Sequence, residues 1–129
     1  MVQIARDNLD SLNKLTEKII GLAIEVHKKI GPGFTEKIYQ NALSLEFDQK
    51  DIQYEKEKLI QVEYKGQILG KQRLDFLIED LLIIEMKVTE KIGNIHLAQI
   101  LSYLKATGKK IGLILNFANT RLEIKRVIN

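Results

Sequence analysis

Apolar residues recur at three- and four-residue steps through the first part of the chain, as they do on one face of an amphipathic helix. This pattern predicts a helix over residues 8–30. Gly31-Pro32-Gly33 ends it, because glycine favours the conformation that follows a helix and proline cannot continue one. Thr35 suits the N-cap position and predicts a second helix from Thr35 to Lys50. The predicted apolar side of this second helix consists of Ile38, Ala42, Leu45 and Phe47.

The middle of the chain has the patterns of β-strands. Residues 57–64 alternate between apolar and polar side chains, and Lys65-Gly66 then turns the chain into a partner strand over residues 67–78. A turn at Glu79-Asp80 leads into a third strand over residues 81–88. The apolar runs on both sides of this turn are typical of central strands that are buried on both faces.

The last part of the chain predicts one helix between strands. Asn94 can cap a helix over residues 95–106, which ends at Gly108. Residues 111–117 form an apolar run of strand length, and residues 122–128 alternate as an edge strand does. An antiparallel hairpin followed by a strand–helix–strand crossover gives a mixed β-sheet flanked by α-helices, so the predicted fold class is α/β.

Length and composition set limits on the kind of protein. The 129 residues predict a single domain over residues 1–129. The absence of cysteine excludes disulfides and thiolate metal sites. Apolar runs fall short of the roughly 18 residues of a membrane span, and the N-terminus does not read as a signal peptide, so we expect a cytoplasmic protein. The net charge of +3 permits a polyanionic partner without arguing for one.

Three charged residues interrupt the two apolar strands around the turn at Glu79-Asp80. They are Asp75 on one strand and Glu85 and Lys87 on the next. Glu85 and Lys87 are two residues apart, so on a strand their side chains point to the same face. A buried charge without a partner is costly, so these positions need compensation or a function.

The chemistry of these residues suits a divalent metal ion. Two carboxylates, Asp75 and Glu85, can hold Mg²⁺ or Mn²⁺, hard cations that prefer oxygen ligands. Such an ion lowers the pKa of a bound water and balances charge on a phosphate, and Lys87 can orient or deprotonate that water. The spacing alone has low specificity, and its weight comes from the apolar setting. The alternative is a structural ion cluster without a function.

Other polar residues are candidates with plain structural alternatives. His27 falls in the last turn of the first helix, where it either joins a site or serves as a packed histidine or helix-dipole partner. Glu36 falls in the first turn of the second helix, where an acid complements the helix dipole. His96, Gln99 and Tyr103 share one face of the third helix, which is either exposed or part of a site.

Several linked motifs make the sequence resemble a known family. Asp75 followed by Glu85-Met86-Lys87 resembles the PD-(D/E)XK nuclease superfamily, with Leu74 where the superfamily has the proline of its name. More narrowly, the sequence resembles the GxxExxY protein family over about residues 12–128. The motifs that carry this narrower resemblance are Glu25-Val-His27-Lys, Gly31-Pro-Gly33, Gly33-Phe-Thr-Glu36-Lys-Ile-Tyr39, Gln99-x-x-x-Tyr103 and Ile114-Leu-Asn116-Phe117.

The resemblance implies a restriction-endonuclease-like fold and a metal-dependent nuclease. It implies Asp75, Glu85 and Lys87 as catalytic residues, with Glu36 joining Asp75 and Glu85 as a ligand of Mg²⁺ or Mn²⁺. It also implies that Gln99 and Tyr103 line the site and contact the substrate. His27 stays a candidate substrate contact, with a packed histidine as the alternative.

Two functions from different classes stay open at this point. The first is hydrolysis of phosphodiester bonds in nucleic acid, with DNA as the favoured substrate. The second is a non-catalytic module that binds nucleic acid or protein and keeps the nuclease fold. No second domain for target recognition is visible, so sequence specificity would come from loops, a homodimer or a protein partner.

The geometry of the second hairpin gives the most direct structural prediction. Asp75 and Glu85 can share a metal ion only if they face each other across the ladder, which pairs Ile78 with Leu82. The loop is then three residues long, or a longer odd number; in the three-residue loop we expect Asp80 rather than Leu81 in the left-handed conformation. A two-residue loop would pair Asp75 with Ile84 instead and turn Asp75 away from Glu85 and Lys87.

Overall fold

The computed structural model describes residues 2–129, with side chains described from Leu9 onwards. Helices and strands follow the order that the sequence predicts. They are α1 (Val2–Ile30), α2 (Glu36–Gln49), β1 (Tyr54–Tyr64), β2 (Gln67–Ile78), β3 (Leu82–Lys87), α3 (Asn94–Thr107), β4 (Ile111–Asn116) and β5 (Glu123–Ile128). The largest shifts in boundary are at α1, which begins at Val2 rather than at residue 8, and at β1, which begins at Tyr54 rather than at residue 57.

The five strands form one mixed sheet in the order β1-β2-β3-β4-β5. β1, β2 and β3 are antiparallel neighbours, and β4 pairs antiparallel with β5. β3 and β4 run parallel, joined by α3 as the crossover helix. The predicted α/β fold class with a mixed sheet is therefore confirmed. Because β3 and β4 are parallel, their carboxyl ends lie at the same edge of the sheet, next to Glu85 and Lys87.

The sheet separates two apolar clusters, one on each face. The first cluster joins α1 and α2 to the side chains of Leu82, Ile84 and Met86 in β3. The second joins α3 to Ile83 of the same strand. Alternation along β3 therefore points Glu85 and Lys87, which share the parity of Ile83, to the face that α3 covers.

The apolar side predicted for α2 is partly wrong. Ile38 and Leu45 are 45% and 58% exposed, whereas Tyr39, Leu43 and Phe47 are fully buried at four-residue spacing. A tyrosine can take a core position when its hydroxyl has a partner. Here the Tyr39 hydroxyl donates to the Gly31 carbonyl over 2.6 Å, and its ring stacks on Phe117 with centroids 4.4 Å apart.

α1 is amphipathic, and its buried side faces the first cluster. The members of that side are Leu12, Ile19, Leu22, Ala23 and Val26. Among residues 2–129, no helix combines the length and the apolar character that crossing a membrane requires.

Candidate functional site

The register of the β2–β3 hairpin is the predicted one. Ile78 pairs with Leu82, Leu77 with Ile83 and Phe76 with Ile84, so the residue numbers in each pair add up to 160. The loop between the strands is three residues long. The backbone pairing ends at Phe76–Ile84, and side-chain hydrogen bonds join Asp75 to Glu85 and Met86 of β3 beyond that point.

The loop achieves this register with two residues in the left-handed region. Glu79 has φ 53° and Asp80 has φ 58°, and the Leu81 N–H donates to the Ile78 carbonyl over 2.9 Å. Asp80 was predicted in this conformation and Glu79 was not. The side chain of Glu79 accepts a hydrogen bond from the Gln53 N–H at 3.0 Å, which ties the loop to the start of β1.

Where the backbone pairing between β2 and β3 ends, side-chain carboxyl groups accept the hydrogen bonds of the backbone N–H groups. Beyond the Phe76–Ile84 pair, the Met86 N–H donates to Asp75 Oδ2 over 2.7 Å. In the other direction, the Asp75 N–H donates to Glu85 Oε1 over 3.3 Å. These two cross-strand bonds fix both side chains, and they bring the two carboxyl groups close enough to interact directly.

The surroundings of this pair favour protonation of its carboxyl groups. Glu85 is only 5% exposed. Burial, and after it the charge of Asp75, raises the pKa of Glu85 to about 8. Burial also raises the pKa of Asp75, against the hydrogen bond from the Met86 N–H and the charge of Lys87. Without a cation, the pair is therefore most stable with a proton on it at neutral pH.

Lys87 and the polar stripe of α3 lie on the same side of the pair. Lys87 Nζ donates to Gln99 Oε1 over 3.0 Å. The Tyr103 hydroxyl donates to Gln72 Oε1 over 3.3 Å. Burial, followed by the charge of Glu85, raises the pKa of Tyr103. Gln99 thus contacts Lys87 and Tyr103 lies within reach of the charge of Glu85, and their contact with substrate stays a prediction.

His96, the third member of that stripe, has a local structural partner. Its Nδ1 accepts a hydrogen bond from the Gly93 N–H at 3.0 Å, at the start of α3. The exposed-face alternative is wrong for Tyr103, which is only 5% exposed. The polar stripe therefore splits into a helix-start residue and two site neighbours.

Glu36 reaches the site from α2 without joining the carboxyl pair directly. It lines a cavity of about 180 Å³ together with Asp75 and Met86. Among the residues that the structure describes, no three His, Cys, Asp or Glu side chains stand close enough together to hold a metal ion. Glu36 as a third metal ligand therefore stays a prediction.

His27 lies in the core rather than beside the carboxyl pair. It is 5% exposed, and its Nε2 lies 3.3 Å from the Phe117 carbonyl oxygen. Because a carbonyl oxygen only accepts, this nitrogen carries the proton. The ring also lies against Phe117, with centroids 5.7 Å apart. The geometry favours the packed alternative over a contact with substrate.

Three more residues border the site that were not predicted from the sequence. Gln40 Nε2 donates to the Asp75 carbonyl over 3.2 Å. Arg73 and Glu57 line the same cavity as Asp75. The spacing could have predicted two of them. Arg73 is two residues before Asp75 on a strand, and Gln40 is one helical turn after Glu36, so each shares a face with a predicted site residue. Glu57 gave no such signal.

The donor set around Asp75 and Glu85 fits a divalent metal ion. Two carboxyl groups meet at one place, where burial raises the pKa of both and so disfavours their negative charge unless a counter-charge is present. A divalent cation supplies that counter-charge and prefers carboxylate oxygen. Binding it would displace the proton that the pair otherwise holds.

Comparisons with known proteins agree with this geometry. The sequence model of the PD-(D/E)XK nuclease superfamily matches residues 13–127. A search of curated proteins found no match. The narrower resemblance to the GxxExxY family stays a prediction, since the match is to the superfamily.

Two solved structures share the fold. The crystal structure of SSO0001 is similar with a TM-score of 0.57 and 18% identity, over 72% of this chain and 49% of that one. The alkaline exonuclease LHK-Exo from Laribacter hongkongensis is similar with a TM-score of 0.54 and 12% identity, over 88% of this chain and 69% of that one. The chain thus spans about half the length of SSO0001. At these identities the likeness is one of fold.

Proposed function

The chain belongs to the PD-(D/E)XK nuclease superfamily, and we propose that it is a metal-dependent nuclease that hydrolyses phosphodiester bonds in DNA. One observation carries the proposal: the carboxyl groups of half-buried Asp75 and buried Glu85 lie together on the same hairpin as Lys87. An ion cluster that served stability alone would gain from full pairing, yet burial leaves Glu85 with its pKa raised to about 8.

In this proposal the acidic residues hold the metal. Asp75 and Glu85 bind Mg²⁺ or Mn²⁺, and Glu36 joins them from the first turn of α2. When bound, such an ion supplies positive charge for the scissile phosphate and lowers the pKa of a coordinated water.

Lys87 orients the attacking water, and α3 keeps Lys87 in place. Its ammonium already donates to Gln99 Oε1 over 3.0 Å, which holds the side chain in a fixed direction. Gln99 and Tyr103 also offer an amide and a hydroxyl to the strand being cut. A protein that acts as one domain in the cytoplasm, alone or as a homodimer, is the simplest setting for this activity.

The test is cleavage of purified DNA. Plasmid and single-stranded DNA are incubated with the protein and Mg²⁺ or Mn²⁺, and the products are separated on a gel. We expect cutting that needs the metal and falls by about 10²-fold or more in Lys87→Ala, because lysine handles the proton or the water. Absence of cutting under all metal conditions, with retained DNA binding, would favour the non-catalytic alternative.

A further inference from the structure

A cavity on the α2 side of the carboxyl pair has a chemistry of its own. It measures about 180 Å³ and is reached past the first turn of α2. Its lining residues are Glu36, Lys37, Gln40, Glu57, Arg73, Asp75 and Met86. Asp75 belongs both to this lining and to the carboxyl pair. A nucleic-acid strand bound at the pair can therefore continue into the cavity.

Two cationic side chains line this cavity, and only one of them forms an ion pair among the described residues. Lys37 Nζ contacts Glu57 Oε1 at 2.7 Å. Arg73 makes no ion pair with any carboxylate in the described part of the chain. Its charge nevertheless reaches the acids around it: the pKa of Glu57 is lowered first by Lys37 and then also by Arg73. Arg73 is therefore a free guanidinium beside the site.

The backbone at Glu57 is strained. Glu57 has φ 56°, which is unusual for a glutamate within a strand. Its neighbours Lys56 and Lys58 pair with Phe76 and Leu74, so Glu57 falls opposite Asp75 and interrupts the ladder there. In this position the Glu57 carboxylate forms an ion pair with the Lys37 ammonium.

We propose that Arg73 and Lys37 form a phosphate-binding subsite for the nucleic-acid strand, and that Glu57 occupies Lys37 until a phosphate replaces it. The subsite rests on the proposed nuclease function and extends it to the phosphate next to the one at Asp75 and Glu85. A guanidinium can bind a phosphate through two parallel N–H donors, and an ammonium adds a point charge.

The charges in the cavity make this subsite dependent on metal. Three carboxyl groups, Glu36, Glu57 and Asp75, face two cations, Lys37 and Arg73. A phosphate is therefore held weakly until a divalent cation balances Asp75. Removing the negative charge of Glu57 alone should therefore raise the affinity of the cavity for a phosphate.

The first experiment measures DNA binding without cleavage. A fluorescein-labelled single-stranded DNA oligonucleotide is titrated with Lys87→Ala protein in Ca²⁺, and fluorescence anisotropy gives the affinity at several salt concentrations. Adding Arg73→Gln should weaken binding by about tenfold and reduce the slope of log affinity against log salt by about 0.7. Arg73→Lys should keep the slope and lose part of the affinity, because lysine keeps the positive charge but lacks the two parallel N–H donors of the guanidinium.

Matched controls separate the subsite from general charge effects. Lys110→Gln removes one positive charge next to Ile111, which pairs with Leu82 at the end of the sheet away from Glu85. We expect it to leave affinity and slope unchanged. Glu57→Gln should tighten binding a few-fold, whereas Glu17→Gln, on the exposed side of α1, should not.

The outcomes distinguish the subsite from the nuclease function. If the wild-type protein cuts DNA but Arg73→Gln binds with the parental affinity and slope, the subsite is wrong and the nuclease proposal stands. If Glu57→Gln weakens binding, the role given to Glu57 is wrong. If the wild-type protein neither binds nor cuts DNA, the nuclease proposal fails and the subsite fails with it.

Discussion

At the scale of single residues, the ionisation of Glu85 connects stability with function. Its side chain is held in place by the Asp75 N–H, and burial raises its pKa to about 8. In the unfolded chain a glutamate returns to its ordinary value of about 4.5. Between these two pH values the folded protein keeps a proton that the unfolded chain releases.

This difference predicts how stability depends on pH in the absence of metal. Because the folded pKa lies above the unfolded one, the free energy of unfolding should fall as pH rises from about 5 to about 8. One proton corresponds to a slope of about 1.4 kcal/mol per pH unit, and the raised pKa of Asp75 acts in the same direction. Urea unfolding in EDTA at several pH values measures this slope.

Glu85→Gln provides the matched control for that experiment. The amide keeps the shape of the side chain but cannot ionise, so most of the pH dependence should vanish. A slope that is as steep in Glu85→Gln as in the wild-type protein would show that another group causes it.

At the level of helices and strands, close packing of α3 on β4 positions the helix that carries Gln99 and Tyr103. A Cβ atom on Gly112 would lie 2.6 Å from Ile100 Cδ1 and 3.0 Å from Ile100 Cγ1. Glycine therefore allows α3 to approach the sheet at this point. The same helix carries Gln99, which contacts Lys87, and Tyr103.

Gly112→Ala should consequently destabilise the protein by about 1–3 kcal/mol, because the added methyl group overpacks this contact. Ile100→Val removes the Cδ1 atom and should restore part of the loss when combined with Gly112→Ala. Chemical denaturation of the two single variants and the double variant measures the coupling. Strict additivity of the two changes would contradict the proposed contact.

The sequence predicts some elements better than others, for physical reasons. The hairpin register follows from one requirement, that Asp75 and Glu85 face each other, and a side-chain period of two leaves few alternatives. The buried side of α2 was harder to predict, because it depends on Tyr39, whose hydroxyl is satisfied by the distant Gly31 carbonyl. Hydrophobicity alone does not reveal such a partner.

At the scale of the whole molecule, α2 and α3 approach the carboxyl pair from opposite faces of the sheet. α3 contributes the contact of Gln99 with Lys87, whereas the sequence placed Gln99 at the site only through the family resemblance. α2 contributes a cavity in which Glu57 and Arg73 meet Asp75. Sequence spacing did not reveal this meeting with Glu57, because it depends on a single strand residue with positive φ.

Titration calorimetry of Mn²⁺ binding to the carboxyl pair is the most direct test of the proposed metal site. We predict that the wild-type protein binds Mn²⁺ near neutral pH and releases protons as it does so, because burial raises the pKa of Glu85 to about 8. Glu85→Ala should fold, as judged by circular dichroism, and lose this binding. Wild-type-like Mn²⁺ affinity in folded Glu85→Ala would contradict the assignment of Asp75 and Glu85 as a metal site.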